Sequence, residues 1–331
     1  MSGDWHTASA PGKFVILGEH SVVYGKPAVT LAVDLRMTVA VRRSKYNTMN
    51  GERLDFRRQA HVRYLTRGLR HAVDMLTYSE IPVGSGMGSS AALSAAMALA
   101  LSSEEGRPMS EEQVMREAYE AEYYAQGNGS PMDASTCVHG GGIAINMPDA
   151  DGEFLWDVER NGRKWRFTDL KAPEMTFVIG NTGIRAPTGP QVDKVHRYTD
   201  RGVFAREVID DIAAVTVEGG KAIKDGDVEA LGRLMTKDHK LLSILGVSCD
   251  ELNRLVNAAL PHSYGAKLTG SGGGGCMVAL TDRPDEVCQA IESRGGVPYV
   301  VRTGGRGVCM EAAPPAATGL RWASRWPARS T

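Results

Sequence analysis

Glycine is the residue type that most constrains this sequence, because much of it is concentrated in short clusters. The 331 residues include 38 glycines, a share above the usual value of about 7%. The clusters lie at residues 84–88, 140–142, 270–275 and 304–307. Glycine is required where the backbone takes a positive φ or where another group approaches the main chain closely. The first and third clusters therefore predict a backbone that holds a bulky anion or packs tightly, whereas hairpin turns are the simpler interpretation of the others.

Composition and charge exclude several classes of protein. Lys and Arg total 38 against 39 Asp and Glu, so the net charge of -1 argues against a nucleic-acid or anionic-membrane partner. The longest nearly apolar run, residues 91–101, is too short to span a bilayer, and residues 1–10 lack the apolar core of a signal peptide. The 5 cysteines are scattered and contain no C-x-x-C pair. This pattern predicts neither a disulfide framework nor a zinc site, and it fits the reducing cytoplasm.

Hydrophobic periodicity predicts a mixed α/β chain. Alternating apolar residues indicate a long strand over residues 28–41, and a helical period indicates a helix over residues 62–76. Ser110 and Gln113 form a capping box ahead of a helix that ends near Gly127. Further strands are predicted at 14–17, 175–179, 276–280 and 297–301, a hairpin at 151–169, and helices at 89–101, 203–235 and 285–293.

The central glycine cluster lies between a predicted strand and a helix rich in small residues. Backbone N–H groups at such a helix start, together with the helix dipole, bind phosphate. A Walker loop is excluded because it requires a lysine that this segment lacks. The run from Gly86 to Ala91 does satisfy G-x-G-x-x-A, so a dinucleotide site stays open, although no strand with an acidic end follows the helix. Simple packing of a helix against a sheet is the third alternative.

Two other segments carry possible functional groups, each weak by itself. Residues 9–20 place Lys13, Glu19 and His20 around a short strand, but such a lysine is usually a solvated charge. Residues 267–276 run through four successive glycines into a strand, which also fits a glycine hairpin turn.

Glu122 and Asp133 form a possible pair of functional carboxylates. Glu122 lies late in the capped helix and Asp133 follows a Gly-Ser-Pro turn, so the two could converge on a cation and a hydroxyl group. Acidic residues on helix faces are usually solvated, and this pair alone carries no assignment.

Taken together and in order, these segments resemble the GHMP kinase superfamily, from about residue 9 to residue 310. The central run IPVGSGMGSSAA is similar to the family's P-x-x-x-G-x-G-S-S-A-A phosphate loop, and residues 9–20 and 267–276 are similar to its first and third motifs. Within the superfamily, the run GEHSVVYG at residues 18–25 resembles mevalonate kinases, and because the segment between Val41 and Ile81 is shorter than in animal mevalonate kinases, the closer likeness is to the archaeal type. Galactokinases carry G-E-H-T-D-Y-N-G instead, and diphosphomevalonate decarboxylases lack both the lysine and the G-E-H run.

The resemblance implies an α+β fold of two domains. The N-terminal domain, residues 1–165, is expected to be like domain 2 of ribosomal protein S5 and to carry the phosphate loop. The C-terminal domain, residues 166–317, is expected to be ferredoxin-like, with the site in the cleft between the two. Residues 318–331 are expected to form a mobile, dispensable tail outside both domains.

The resemblance also implies a role for individual residues. Asp133 is expected to be the catalytic carboxylate with Lys13 paired to it, and Ser90 and Glu122 are expected to bind Mg²⁺. Glu19 and His20 are expected to face the acceptor substrate. The expected ATP-binding residues are Pro82, Val83, Gly84, Ser85, Gly86, Met87, Gly88, Ser89, Ser90, Ala91 and Ala92, and the phosphate end is expected to be closed by Gly270, Ser271, Gly272 and Gly273.

The implied activity is transfer of the ATP γ-phosphoryl group to the 5-hydroxyl of mevalonate, an early step of isoprenoid precursor biosynthesis. ATP and mevalonate are the expected partners, with no nucleic acid and no membrane, in the cytoplasm. Phosphomevalonate kinase, homoserine kinase and, at greater distance, an NAD(P)-dependent enzyme remain alternatives. The oligomeric state, including a homodimer, is left open.

Overall fold

Two β-sheets organise the chain in the computed structural model, which describes residues 4–57, 59–82, 85–127, 129–148, 152–185 and 187–314. Val83, Gly84 and the predicted tail at 318–331 lie outside these residues. The strands are β1 (His6–Leu17), β2 (Ala28–Ser44), β3 (Thr48–Met49), β4 (Glu52–Arg53), β5 (Ala72–Ser79), β6 (Gly142–Ile145), β7 (Phe154–Arg160), β8 (Arg163–Asp169), β9 (Thr176–Asn181), β10 (Gly265–Thr269), β11 (Cys276–Leu280), β12 (Val297–Arg302) and β13 (Cys309–Glu311).

The larger sheet is built around β2. This strand pairs antiparallel with β1, β5 and β6, and the path through the sheet runs β4-β3-β5-β2-β6-β8-β7, with β1 between β2 and β13. The smaller sheet is antiparallel, in the order β10-β11-β9-β12. The α+β arrangement in two sheets agrees with the expected fold class.

Nine helices cover the sheets in the described part of the chain, and none of them is long and apolar enough to cross a membrane. Their bounds are α1 (Ala60–Leu65), α2 (Ser89–Glu104), α3 (Glu111–Gln126), α4 (Met132–His139), α5 (Thr188–Arg201), α6 (Val203–Asp225), α7 (Val228–Ile244), α8 (Asp250–Ala259) and α9 (Pro284–Glu292). The predicted buried helix is confirmed as α2, whose run of alanines lets it contact β1, β2 and α3 closely.

The predicted capping box of α3 is confirmed. Ser110 Oγ accepts a hydrogen bond from the Gln113 backbone N–H, and Gln113 Oε1 accepts one from the Ser110 N–H. The helix ends at Gly127, whose φ of 73° is the left-handed geometry that glycine adopts without strain. These local signals fix both ends of the helix that carries Glu122.

The predicted helix over residues 62–76 is wrong in its second half. Helix α1 ends at Leu65, and the chain then forms β5 from Ala72 to Ser79. Val73 and Met75 are buried where β5 pairs with β2, so their spacing of two is the relevant period. The predicted helix over 203–235 is also divided, because Gly226 ends α6 and the Asp227 side chain caps α7.

The chain crosses between the two sheets twice. β8 belongs to the larger sheet, so the expected boundary at 165/166 lies inside this strand and the chain leaves the sheet only after Asp169. After β12 the chain returns, and β13 pairs with β1. Arg36 holds this return, because its guanidinium donates to the carbonyl oxygens of Ser9, Arg306 and Gly307.

The junction between the sheets is apolar and continuous with the core of the larger sheet. Phe14 on β1 meets Phe177 on β9 with ring centroids 5.0 Å apart, and both rings are fully buried. Gly219 on α6 lies directly against Leu17, which leaves no room for a Cβ atom. This packing fixes the end of β1, which carries several of the predicted site residues.

Candidate active site

An ion pair between Lys13 and Asp133 lies at the centre of the site. Lys13 Nζ is 2.8 Å from Asp133 Oδ1, and the side chains are 6% and 40% exposed respectively. Lys13 comes from β1, whose pairing with β2 shifts register between Pro11 and Lys13, while Asp133 is in the first turn of α4. The structure thus brings together the two residues that the resemblance pairs, with the carboxylate accessible to a ligand.

The glycine loop packs directly on this lysine. The Lys13 backbone N–H donates to the Met87 carbonyl oxygen at 3.0 Å. Gly88 has a φ of +67°, and a Cβ atom there would lie 2.9 Å from Lys13 Cε. Gly88 is therefore required both for its backbone conformation and for the space that the lysine side chain occupies.

The same loop leads into the N-terminus of α2. Ser85 Oγ donates to the Pro82 carbonyl oxygen at 2.7 Å, and Gly86 and Gly88 both have positive φ. The helix starts at Ser89, and its first intrahelical bond runs from the Ala92 N–H to the Gly88 carbonyl. The preceding N–H groups of this 16-residue helix have no partner within the helix, which is the arrangement that binds phosphate.

Glu122 on α3 is surrounded by donors. Ser90 Oγ donates to it at 2.6 Å, Ser94 Oγ at 3.2 Å and Gln126 Nε2 at 2.8 Å. His61 Nε2, from α1, lies 3.0 Å from Glu122 Oε1. Burial raises the pKa of the Glu122 carboxyl group, but the hydrogen bond and charge of His61 and the serine hydroxyls outweigh burial, so the pKa is lowered. Glu122 is accordingly an ionised carboxylate directly beside the helix start.

Ser90 and Glu122 together suit a hard divalent cation. A carboxylate and a hydroxyl oxygen are ligands that Mg²⁺ accepts, and it usually keeps several waters and takes substrate phosphates as further ligands. The described residues contain no cluster of three or more His, Cys, Asp or Glu side chains placed to bind a metal.

A large cavity of about 840 Å³ opens next to the start of α2. Its wall combines apolar side chains with a few amide and hydroxyl groups, the usual character of a small-molecule pocket. Half of these residues come from the short β3–β4 hairpin and from α1 with the residue before it, and the sequence patterns did not mark these elements as part of a site. The lining residues are Met37, Met49, Asn50, Gly51, Glu52, Gln59, His61, Val62, Thr77, Ser79, Ile81, Ser89, Ser90 and Leu93.

Glu19 does not face an open cleft as expected. It is 3% exposed, and its carboxyl group forms an ion pair with Lys267 of β10, which is completely buried. The carboxyl group is thus held in the interior by the other sheet. A lysine on a strand is usually a surface charge, so nothing in the sequence indicates that Lys267 is the buried partner of Glu19.

His20 is also largely buried, but it lies at the turn that follows β1. Its backbone has a φ of 61°, rare for a residue with a side chain, and its Nε2 is 3.0 Å from the Ser271 carbonyl oxygen. Burial lowers the pKa of the imidazole, so the ring is neutral near pH 7. A carbonyl oxygen can only accept, so Nε2 carries the proton and Nδ1 keeps its lone pair.

The glycine run at residues 270–275 makes close contacts with α5 and with the segment that follows α7. A Cβ atom at Gly272 would lie 2.0 Å from the Val247 carbonyl oxygen, and one at Gly273 would lie 2.2 Å from Gln191 Nε2. The adjoining Ser271 contacts His20, which places the turn next to the first motif. Closure of the phosphate end by this run stays a prediction.

Comparison with known proteins gives a consistent family. The family model described as "GHMP kinases N terminal domain" matches residues 56–141, and that described as "GHMP kinases C terminal" matches residues 221–296. The mevalonate kinase of Pyrococcus furiosus is 32% identical over 343 residues, which cover 92% of this chain and 98% of that protein.

Solved structures agree at the level of the fold. The L. major mevalonate kinase, solved in complex with R-mevalonate, matches with a TM-score of 0.79 at 22% identity, covering 90% of this chain and 96% of that one. The phosphomevalonate kinase of Streptococcus pneumoniae, in complex with phosphomevalonate and AMPPNP, matches with a TM-score of 0.73 at 16% identity, covering 89% and 99%. The shared fold therefore does not distinguish among acceptors.

Proposed function

The chain belongs to the GHMP kinases, in the mevalonate kinase branch, and on that premise we propose that it transfers the γ-phosphoryl group of ATP to the 5-hydroxyl of (R)-mevalonate. The observation that carries the proposal is the Lys13–Asp133 pair directly beside the glycine loop that opens α2. The relatives named mevalonate kinase support the choice of acceptor. This reaction serves isoprenoid precursor biosynthesis, and the five free cysteines are compatible with a cytoplasmic location.

The nucleotide is proposed to bind along the start of α2. The cavity beside Ser89 and Ser90 is large enough for a nucleoside and offers apolar side chains for the base. The N–H groups of the glycine loop and the first turn of α2 then meet the phosphates. The dinucleotide alternative loses support, because α2 leads into α3 rather than into a strand with an acidic end.

Asp133 and Lys13 are proposed to act on the acceptor hydroxyl. Phosphoryl transfer depends mainly on alignment and on stabilising charge at the transferred group. Asp133 orients the 5-hydroxyl and takes its proton, while the Lys13 ammonium stabilises the negative charge of the carboxylate and of the phosphoryl oxygens. Because Lys13 is held by the glycine loop through Met87 and Gly88, the phosphate site and the acceptor site are aligned by the same segment.

Mg²⁺ is proposed to be held by Ser90 and Glu122. When bound, the ion supplies charge neutralisation at the phosphate oxygens. In the structure Ser94 and Gln126 donate hydrogen bonds to the Glu122 carboxylate, and the His61 ring lies against it. These neighbours keep the carboxylate in one orientation and ionised.

Glu122→Gln and Ser90→Ala are expected to raise the Mg²⁺ concentration needed for half-maximal activity by about 10-fold, because each removes one of few protein oxygen ligands. The measurement is a magnesium titration at fixed ATP, together with Mn²⁺ binding followed by electron paramagnetic resonance. Glu117→Gln on the same helix, paired with Arg67 at the surface, serves as the control. Unchanged titrations for both variants would place the metal elsewhere.

His20→Ala is expected to raise the KM for mevalonate at least several-fold while the KM for ATP changes little. With Nε2–H bound to Ser271, Nδ1 is available to accept a hydrogen bond from an acceptor hydroxyl, and loss of one substrate contact weakens binding of that substrate alone. Steady-state kinetics with each substrate varied in turn measures the split. Equal changes in both KM values would argue against a contact to the acceptor.

The proposed function itself is tested by offering the purified protein several acceptors with ATP and following ADP release. Mevalonate is expected to be the only good acceptor among mevalonate, phosphomevalonate, homoserine and galactose. A clear preference for another acceptor would move the chain to a neighbouring branch of the family. ADP release that is independent of every acceptor would leave the chemistry unassigned.

A further inference from the structure

Alternate residues of β10 and its turn bind the end of β1. Lys267 pairs with the Glu19 carboxyl group, and Thr269 Oγ1 donates to the Val15 carbonyl oxygen at 2.8 Å. Two residues further on, the Ser271 carbonyl accepts from His20. Side chains along a strand alternate between faces, so Lys267 and Thr269 lie on one face of β10, toward β1, and the Ser271 carbonyl in the turn that follows adds a third contact. The first and third sequence motifs therefore meet as one structural unit.

The charges within this unit do not balance. Lys267 Nζ also lies 3.1 Å from Asp238 Oδ2 of α7, and Lys267 and Asp238 have side chains with no exposed surface. Two carboxyl groups thus face one ammonium group in the protein interior. A buried net charge is strongly unfavourable, and a carboxyl group usually takes up a proton instead.

No other neighbour supplies the missing positive charge among the described residues. His239, next to Asp238, accepts a hydrogen bond at Nδ1 from the Leu268 N–H, and burial lowers its pKa to about 4, so it is neutral. Burial also lowers the pKa of His20; the hydrogen bond to Ser271 opposes this effect, and the charges of Lys267 and of His196 on α5 act in the same direction as burial. The compensating charge must therefore be a proton on the carboxyl groups themselves.

Buried carboxyl oxygens that have no hydrogen-bond partner indicate which two groups hold that proton. Within the described chain, Glu19 Oε2 and both oxygens of Asp238 are buried without a hydrogen-bond partner, and the two carboxyl groups lie against the same Lys267 ammonium group. Two acceptors side by side are satisfied if one of them carries a proton and donates it to the other. Burial and the Asp238 charge together raise the pKa of Glu19 from 4.5 to about 8, against the opposing effect of Lys267.

We propose that Glu19 and Asp238 share one proton above Lys267, and that Lys267 and Asp238 are positioning residues that act through Glu19 to hold His20 at the acceptor end of the site. The inference about the acceptor rests on the proposed function, whereas the shared proton does not. His20 has an unfavourable φ of 61°, and such a conformation persists only where its surroundings hold it. Glu19 is the residue before it, fixed at its carboxyl group by β10 and α7.

Lys267→Met tests the positioning role. The variant is expected to raise the KM for the acceptor at least 10-fold and to leave the KM for ATP within about 3-fold, since the glycine loop and α2 are untouched. Lys26→Met is the matched control, because Lys26 pairs with Asp210 at the surface, where both side chains are well exposed. If Lys267→Met fails to fold, the double variant Glu19→Gln/Lys267→Met, which buries one acidic group fewer, is measured in its place. A folded variant with an unchanged acceptor KM would overturn the positioning role.

Asp238→Asn tests the shared proton by a measurement that needs no substrate. The folded wild-type protein keeps a proton that the unfolded chain has lost above about pH 4.5, so this site destabilises the fold progressively as the pH rises toward 8. The substitution leaves one carboxylate, that of Glu19, opposite one ammonium group and removes the need for the proton. The stability of the variant relative to wild type, from urea unfolding, is expected to increase steadily between pH 5 and pH 8. A difference that stays constant over this range would refute the shared proton, whatever the acceptor proves to be.

Discussion

Asp133→Asn is expected to lower kcat by about 10³-fold while the affinity for ATP stays within a few-fold of wild type. The amide has the shape of the carboxylate, but it does not accept a proton and it lacks the negative charge that pairs with the Lys13 ammonium group, which lies 2.8 Å away. The nucleotide contacts proposed for the glycine loop and α2 do not involve Asp133. Steady-state kinetics gives kcat, and equilibrium binding of a nucleotide analogue that cannot be hydrolysed gives the affinity.

Two comparisons make this result specific. Asp210→Asn removes a carboxylate from an exposed ion pair and is expected to leave kcat unchanged. Lys13→Met removes the partner of Asp133, and if the pair acts as a unit its effect is not additive with that of Asp133→Asn. An Asp133→Asn enzyme that retains more than about a tenth of the wild-type kcat would refute the assignment of Asp133 to the chemical step.

Features with local causes could be predicted from the sequence. The capping box at Ser110 and the terminating Gly127 define α3 without reference to the rest of the chain. The alternation along β2 follows from the pleat of a strand, which turns successive side chains to opposite faces, and the small residues of α2 suit its burial. The pairs Lys13–Asp133 and Ser90–Glu122 were expected only through the family resemblance, because their members are 120 and 32 residues apart.

Features that depend on distant contacts could not be predicted. β5 carries apolar residues that also fit a helical period, and only its pairing with β2 selects the strand. Half of the lining of the large cavity comes from the hairpin of the two-residue strands β3 and β4 and from the short helix α1 with the residue before it, which have no strong periodic signal. Lys267 and Asp238 look like ordinary surface charges in the sequence, since a buried charge is recognisable only once its partner is in place.

Gly88→Ala is expected to lower kcat by about 100-fold, because a displacement of a catalytic group by about 1 Å has effects of this size. The new methyl group would lie 2.9 Å from Lys13 Cε and 3.0 Å from Lys13 Cγ, so the flexible lysine side chain has to move away from its place beside Asp133. The backbone effect is separate, since alanine at a φ of +67° costs about 1–2 kcal/mol of stability. Both kcat and the free energy of unfolding are therefore measured.

Gly106→Ala separates the two effects of that substitution. Gly106 has the same φ of +67° after the end of α2, and no atom lies within 4 Å of the position that its Cβ would take. The Gly106→Ala variant is expected to lose about as much stability as Gly88→Ala and to keep the wild-type kcat. If Gly88 acts through Lys13, the double variant Gly88→Ala/Lys13→Met is no slower than Lys13→Met alone, because the group that the methyl displaces is already gone. Additive losses would instead show that Gly88 contributes through the loop backbone, as a direct contact to the phosphates would require.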